Sequence, residues 1–423
     1  MKPATALFAC ALGLSGCHKA TPHATAFASA GATSTSDGEG GSAIVAADGR
    51  DSAATDGAGG VGGAGDAGGA SSAGQSGSVG SAAGGTASTA LFGKADVLSA
   101  AAKSCSAPDS FTPTAVIPAN LSNAVYGVMG VVSDRRFAFA PDSSTLLTFS
   151  KTGELSSELT QVAGVGSDGT SLAVVFADGQ RVVLQHYDAT LVPVGASVDL
   201  TKGAVERMAV AASASATFVS WVAGDQVVGR VQSKQGLAKF AFSAGADSKH
   251  CQAKALAAGA SFVLAWACGA TQTEFRLATI SQTGMVQGPN LITTAAEQLD
   301  LLDFRALGTG YVALLHDLER STAYLLRTSD SELQGSIRAI TGLDQAFSLA
   351  VSSKGIALAG LLGSGTTALG RISGDASLTV GSDWTCLDLA SPGGHAALDV
   401  DADGYAALVR FANGSEWLVN TPF

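Results

Sequence analysis

Six cysteines are the residues of this 423-residue chain best suited to covalent chemistry. Cys17 stands out by its position. It follows Leu14-Ser15-Gly16, which closes an apolar run from Ala4 to Leu14 behind Met1-Lys2. A basic start, a short apolar core and small residues before a cut make a secretory signal. The run is shorter than the about 20 residues that a membrane-spanning helix needs, and no second long apolar segment follows. Cys10 lies inside the signal and leaves with it. Cys105, Cys251, Cys268 and Cys386 remain, an even number in an oxidising compartment, which predicts disulfides. Cys251 and Cys268 flank a predicted hairpin whose turn is Gly259-Ala260. Pairing Ala258 with Ser261 sets Cys251 opposite Cys268 at a non-hydrogen-bonded position, where Cα atoms approach to about 4.5 Å.

Leu14-Ser15-Gly16-Cys17 resembles the lipobox of bacterial lipoproteins. That resemblance implies cleavage before Cys17 and attachment of a diacylglycerol, carrying acyl chains such as palmitate, to its sulfur. It places the protein in the cell envelope, held to a membrane by lipid. In that family an aspartate after the cysteine favours the inner membrane. His18 stands there, so the resemblance implies an outer-membrane lipoprotein on the periplasmic or the surface face.

Other chemistry-bearing residues are scattered. Asp399, Asp401 and Asp403 place carboxylates at alternate positions before Gly404, as a calcium loop begins. The later ligands are missing, since Ala407 and Arg410 stand at the ninth and twelfth positions. Asp403-Gly404 also reads as a hairpin turn, and that is the expectation here. His186, His250, His316 and His395 show no metal-ligand spacing. No Gly-x-Ser-x-Gly elbow, P-loop or Cys-x-x-Cys occurs in the folded part, so neither a catalytic residue nor a cofactor is assigned. The formal net charge is −11, which argues against nucleic acid, because phosphate binding needs clustered Lys and Arg. Charged residues are 14% of the chain, against about 25% in average proteins, so the acidity is thin and reads as solubility.

The elements that must position these groups follow from the pattern. Residues 1–16 are the signal. Residues 17–110 carry the lipid site and a Gly/Ala/Ser-rich flexible linker. Its low-complexity part, roughly 75 residues, has an r.m.s. span of about 45–50 Å and buries too little to repay ordering. Ala90 to Ser104 is Ala-rich and predicts one or two helical turns. Residues 111–423 are repetitive. Anchors such as Phe218-Val219-Ser220-Trp221, Phe262-Val263-Leu264-Ala265-Trp266 and Tyr311-Val312-Ala313-Leu314 recur at roughly 45-residue spacing. A polar turn leading to one apolar residue follows in phase, as in Thr283-Gly284-Met285. Each unit reads as four short strands; the third has Arg207 to Ala212, Thr217 to Val222, Val227 to Gln232 and Leu237 to Phe242. This predicts an all-β protein, a β-propeller of seven four-stranded blades. The last unit lacks an outer strand, and Thr112 to Ile117 is expected to supply it. Ring closure then brings Cys105 near Cys386 as a second disulfide. These units resemble the degenerate propeller repeats of bacterial secreted proteins and lipoproteins, a likeness that implies fold and location only.

Function must lie where strand-connecting loops of successive units converge. Glu206, Arg207, His250, Asp300, Asp344, Trp384 and His395 mark that face. Trp221 and Trp266 recur at like positions and read as core, whereas Trp384 has no counterpart and reads as an exposed binding aromatic. The expectation is a monomeric, non-enzymatic binding or scaffold module facing an envelope protein or glycan. The alternative is an extracytoplasmic propeller hydrolase or lyase acting on polysaccharide.

Overall fold

The computed structural model describes residues 97–106, 114–117, 127–203, 205–245, 250–317, 319–335, 337–387, 395–400, 404–410 and 416–422. Cys17 and the signal lie outside the described residues. All regular elements described are strands, and none of the described residues forms a helix long and apolar enough to cross a membrane. Two strands come first, β1 (Val97–Ala100) and β2 (Thr114–Ile117). The first sheet follows as β3 (Val128–Val132), β4 (Arg135–Ala140), β5 (Thr145–Ser150) and β6 (Leu155–Leu159). The second is β7 (Val162–Ser167), β8 (Leu172–Ala177), β9 (Arg181–Tyr187) and β10 (Pro193–Lys202). The third is β11 (Glu206–Ser213), β12 (Ala216–Ala223), β13 (Gln226–Ser233) and β14 (Gly236–Ser243). Each strand span expected for this unit lies within the observed strand.

The fourth sheet is β15 (Gln252–Ala258), β16 (Ser261–Cys268), β17 (Thr273–Ser281) and β18 (Val286–Ala295). The fifth has β19 (Asp300–Leu307), β20 (Gly310–Asp317), β21 (Thr322–Thr328) and β22 (Arg338–Thr341), with β1 added beyond β22. Then come β23 (Leu343–Ser352), β24 (Gly355–Leu362), β25 (Thr367–Ile372) and β26 (Val380–Cys386). The last sheet is β27 (His395–Val400), β28 (Gly404–Arg410) and β29 (Glu416–Pro422), with β2 as its outer strand. The expectation of seven four-stranded blades needs correction. Among the described residues six sheets have four strands, and the one built on β19–β22 has five.

The sheets stand round a closed ring. The leading strands β3, β7, β11, β15, β19, β23 and β27 each touch the next, and β27 returns to β3. These are the inner strands of a β-propeller. Burial follows from that arrangement. Second strands are covered on both faces, so β20 is buried at every position and β16 at all but its first. Such strands need no polar alternation. Outer strands face water on one side, and β10 is exposed at most positions. Phe218, Phe240, Phe262 and Trp266 pack between the third and fourth sheets. Burying each such side chain stabilises the fold by about 1.5–3 kcal/mol.

An N-terminal arm laces the ring shut. The parallel strand β1 pairs with β22, so Val97–Ala100 is extended rather than the helical turn its alanines suggest, and ordered structure begins before residue 111. Ser106 then bridges Thr385 at the edge of β26, and Cys105 is joined to Cys386 with Cα atoms 5.1 Å apart. Finally β2 pairs antiparallel with β29, the closure expected of Thr112 to Ile117. The arm covers three successive outer edges, which would otherwise expose unpaired backbone groups. The second disulfide, Cys251–Cys268, spans 4.1 Å between Cα atoms. Ala258 pairs with Ser261 as the hairpin reading required, and Gly259 takes the positive φ of 59° that the turn demands.

Candidate functional site

The inner strands all run the same way, so their first residues meet at one mouth of the central channel. Gly127, Ala163, Arg207, Gln252, Leu301, Gln345 and His395 line the two cavities there, with volumes of about 410 and 180 Å³. Four inner strands carry bulges close to this mouth. Register shifts fall between Val162 and Gly164, Glu206 and Ala209, Leu301 and Asp303, and Leu343 and Gln345. A bulge turns a side chain out of the alternation a regular strand imposes.

On β19 one of these bulges is followed by two charged side chains that line the larger cavity, Asp303 and Arg305. Asp303 forms an ion pair with Arg305 at 3.0 Å. Its carboxylate also accepts the N–H of Phe304 and the N–H of Leu349, each at 2.8 Å. The second bond ties β19 to β23. Ser348 repeats the device, accepting the Leu398 N–H at 2.8 Å and tying β23 to β27. Farther round, Arg136 faces Asp399 at 3.9 Å with both largely buried. Lys254 lies beside Asp303 and Arg305. Burial pushes its ammonium down from the usual lysine range; Asp303 pulls it back and Arg305 adds to the depression. Lys254 meets these neighbours through space and not by a hydrogen bond.

A third pocket, of about 520 Å³, opens on the same face, at the rim between the fourth and fifth sheets. Glu297, Asp300, His316, Asp317 and Arg320 line it. Asp300 accepts a hydrogen bond from the Gln252 amide at 2.8 Å, which joins rim to channel. Burial raises the Asp300 carboxyl, while His316, Gln252 and His250 act to lower it. His316 is 1% exposed, and neither ring nitrogen has a hydrogen-bond partner of good geometry, though the Leu343 backbone lies close. Burial holds its imidazole below the usual range. Asp317 accepts the N–H groups of Glu319 and Arg320, and Arg320 reaches Glu297. Among the described residues no group of His, Cys, Asp or Glu could hold a metal ion.

The expected face residues meet different fates. Arg207 is exposed at the channel mouth with a φ of 55°. His395 lines the mouth and stacks obliquely on Phe347 at 4.9 Å. Asp300 lies in the rim pocket. His250 is exposed beside the Cys251–Cys268 bridge and within electrostatic reach of Asp300. Asp344 is exposed at the start of β23. Glu206 opens β11, and its side chain lies outside the described residues.

Trp384 is a correction. It is 2% exposed and packs in the core between the fifth and sixth sheets. The cause is a glycine. Trp384 on β26 pairs with Gly370 on β25, where an added Cβ would sit 2.5 Å from its ring. Phe240 and Gly229 make the same pair on β14 and β13, so Trp384 does have a counterpart, of a different residue type. Of the calcium candidates Asp399, Asp401 and Asp403, only Asp399 lies among the described residues, and it is engaged with Arg136.

Sequence reading missed Gln252, Lys254, Asp303, Arg305, Glu297, His316, Asp317 and Arg320. The available signal was a lone charge inside an apolar strand, as in Ala253-Lys254-Ala255-Leu256 and Leu302-Asp303-Phe304-Arg305.

No family model matches this chain, and no curated protein matches it either. Solved structures do. The RRP9 WD40 repeats share 10% identity over 74% of this chain and 99% of theirs, with a TM-score of 0.46. Drosophila Semaphorin 1a, extracellular domains 1-2, shares 8% over 74% and 88%, also at 0.46. A prolyl endopeptidase shares 13% over 70% and 47%, at 0.45. Likeness at this level says nothing of what the present chain binds.

Proposed function

We propose that this protein is a lipid-anchored extracytoplasmic β-propeller that works as a non-enzymatic binding module of the cell envelope. Each sheet counts as a blade in this reading, the five-stranded one included, which makes a ring of seven. The anchor is Cys17, supported by the Leu14-Ser15-Gly16-Cys17 pattern, and two disulfides suit an oxidising compartment. The chain acts as a monomer, and its partner is an envelope protein or glycan.

The carrying observation is how the acids of the entry face are used. Asp303 is bound to Arg305 and two backbone N–H groups; Asp317 and Glu297 are bound to Arg320. Carboxylates committed to structure favour recognition over acid–base turnover. Labelled fatty acid incorporated by the wild type and not by Cys17→Ser tests the anchor; equal labelling of both sinks it. One observation favours a polysaccharide hydrolase or lyase instead. Asp300, raised by burial beside His316, has the character of a general acid. Cleavage of envelope polysaccharide by the wild type and not by Asp300→Asn would establish that second reading.

A further inference from the structure

The channel mouth carries a charge opposite to that of the protein. The chain has a net charge of −11. Yet the 410 Å³ cavity is lined by three cations, Arg207, Lys254 and Arg305, against one carboxylate, Asp303. That carboxylate is used up by Arg305, Phe304 and Leu349. Lys254 stands on the wall shared by both mouth cavities, and among the described residues its three N–H donors meet no hydrogen-bond acceptor. Gln252, two residues earlier on β15, lines both cavities too and brings an amide.

We propose that this cavity is an oxyanion site, taking the carboxylate or phosphate group of a small acid or of an acidic envelope glycan. The inference deepens the binding-module reading and rests on the same face. Lys254 supplies a charge-assisted hydrogen bond, which in a low-dielectric site is stronger than a neutral one. Arg207, exposed at the rim, steers the anion inward. Arg305 contributes field but not a free fork, because Asp303 holds it. Lys254 is partly buried, and a bound oxyanion gives its partly desolvated ammonium an acceptor in place of water.

Protonation follows. The groups facing Lys254 are Asp303, Arg305, Arg207 and His395. Burial holds the free amine low, and an anion favours its charged form. Binding therefore takes up a proton, and affinity falls as pH rises through the depressed range.

The test is calorimetric titration of the mature full chain with inorganic phosphate, succinate and a uronic-acid oligosaccharide, in buffers of different ionisation enthalpy. Saturable binding of at least one probe with proton uptake is expected. Lys254→Met should weaken it about tenfold or more, with a melting temperature no lower than wild type. Preference for the free acids or the oligosaccharide identifies the source of the group. No binding to any probe, or equal binding by Lys254→Met, overturns the inference. Should the wild type bind no oxyanion while Asp344→Arg still abolishes capture of envelope material, the oxyanion site falls and the face reading stands.

Discussion

The arm that crosses three blade edges makes one disulfide weigh more than the other. Replacing Cys105 and Cys386 by serine releases a bond between residues 281 apart in sequence, whereas Cys251 and Cys268 are 17 apart. Loop-closure entropy assigns the long bridge about 5–6 kcal/mol and the short one about 3 kcal/mol. The gap between them is about 2.5 kcal/mol. The native arm should stay in place without the bond. Ala101 donates to Thr341 at 2.8 Å, Arg338 to Ser99 at 2.9 Å, the Cys386 N–H to the Ser106 carbonyl at 2.8 Å, and the Ser106 N–H to the Trp384 carbonyl at 2.9 Å. The loss therefore arises in the unfolded chain. Equilibrium urea unfolding of the two paired-serine variants measures it, with the m-value reporting the looser unfolded state. A larger loss for the Cys105/Cys386 variant, with a raised m-value, is expected. An equal or larger loss for the Cys251/Cys268 variant would show that loop length does not set the loss.

Two further outcomes follow from packing and charge. Gly370→Ala places a methyl 2.5 Å from the Trp384 ring and should cost about 1–3 kcal/mol, while Trp384→Ala should cost about 3–5 kcal/mol; thermal unfolding checks both, and an unaffected Trp384→Ala would contradict its burial. Lys254 binds its proton less tightly when folded than unfolded, so the unfolded chain holds more protons in the window between the depressed value and the ordinary lysine range. Wild-type stability should therefore rise with pH across that window relative to Lys254→Met, and parallel profiles would show that the amine is not depressed.

How far the residues alone disclosed this molecule depended on whether a feature was local or cyclic. The Ala258–Ser261 register, and with it the Cys251–Cys268 bridge, is a two-strand problem that turn chemistry settles. Closure by Thr114–Ile117 followed from a missing outer strand. Val97–Ala100 was misread because strand formation there comes from pairing with Arg338–Thr341, which composition does not encode. Trp384 was misplaced because its counterpart, Phe240, is another aromatic over another glycine. Lys254 was invisible for a related reason. A single charge between alanines gains meaning only when the inner strands are set round one channel.

Binding of a partner through the face where the inner strands begin is open to direct test. The direct measurement compares retention of envelope glycan and protein fractions by full-length variants altered on the two faces. Arg207→Glu and Asp344→Arg change the entry face; Gln235→Arg changes the Ser233–Gly236 hairpin turn between β13 and β14. The first two should lose a fraction that the wild type retains, with unchanged melting temperatures, and Gln235→Arg should keep it. Loss on Gln235→Arg with retention by both entry-face variants would contradict binding through the entry face.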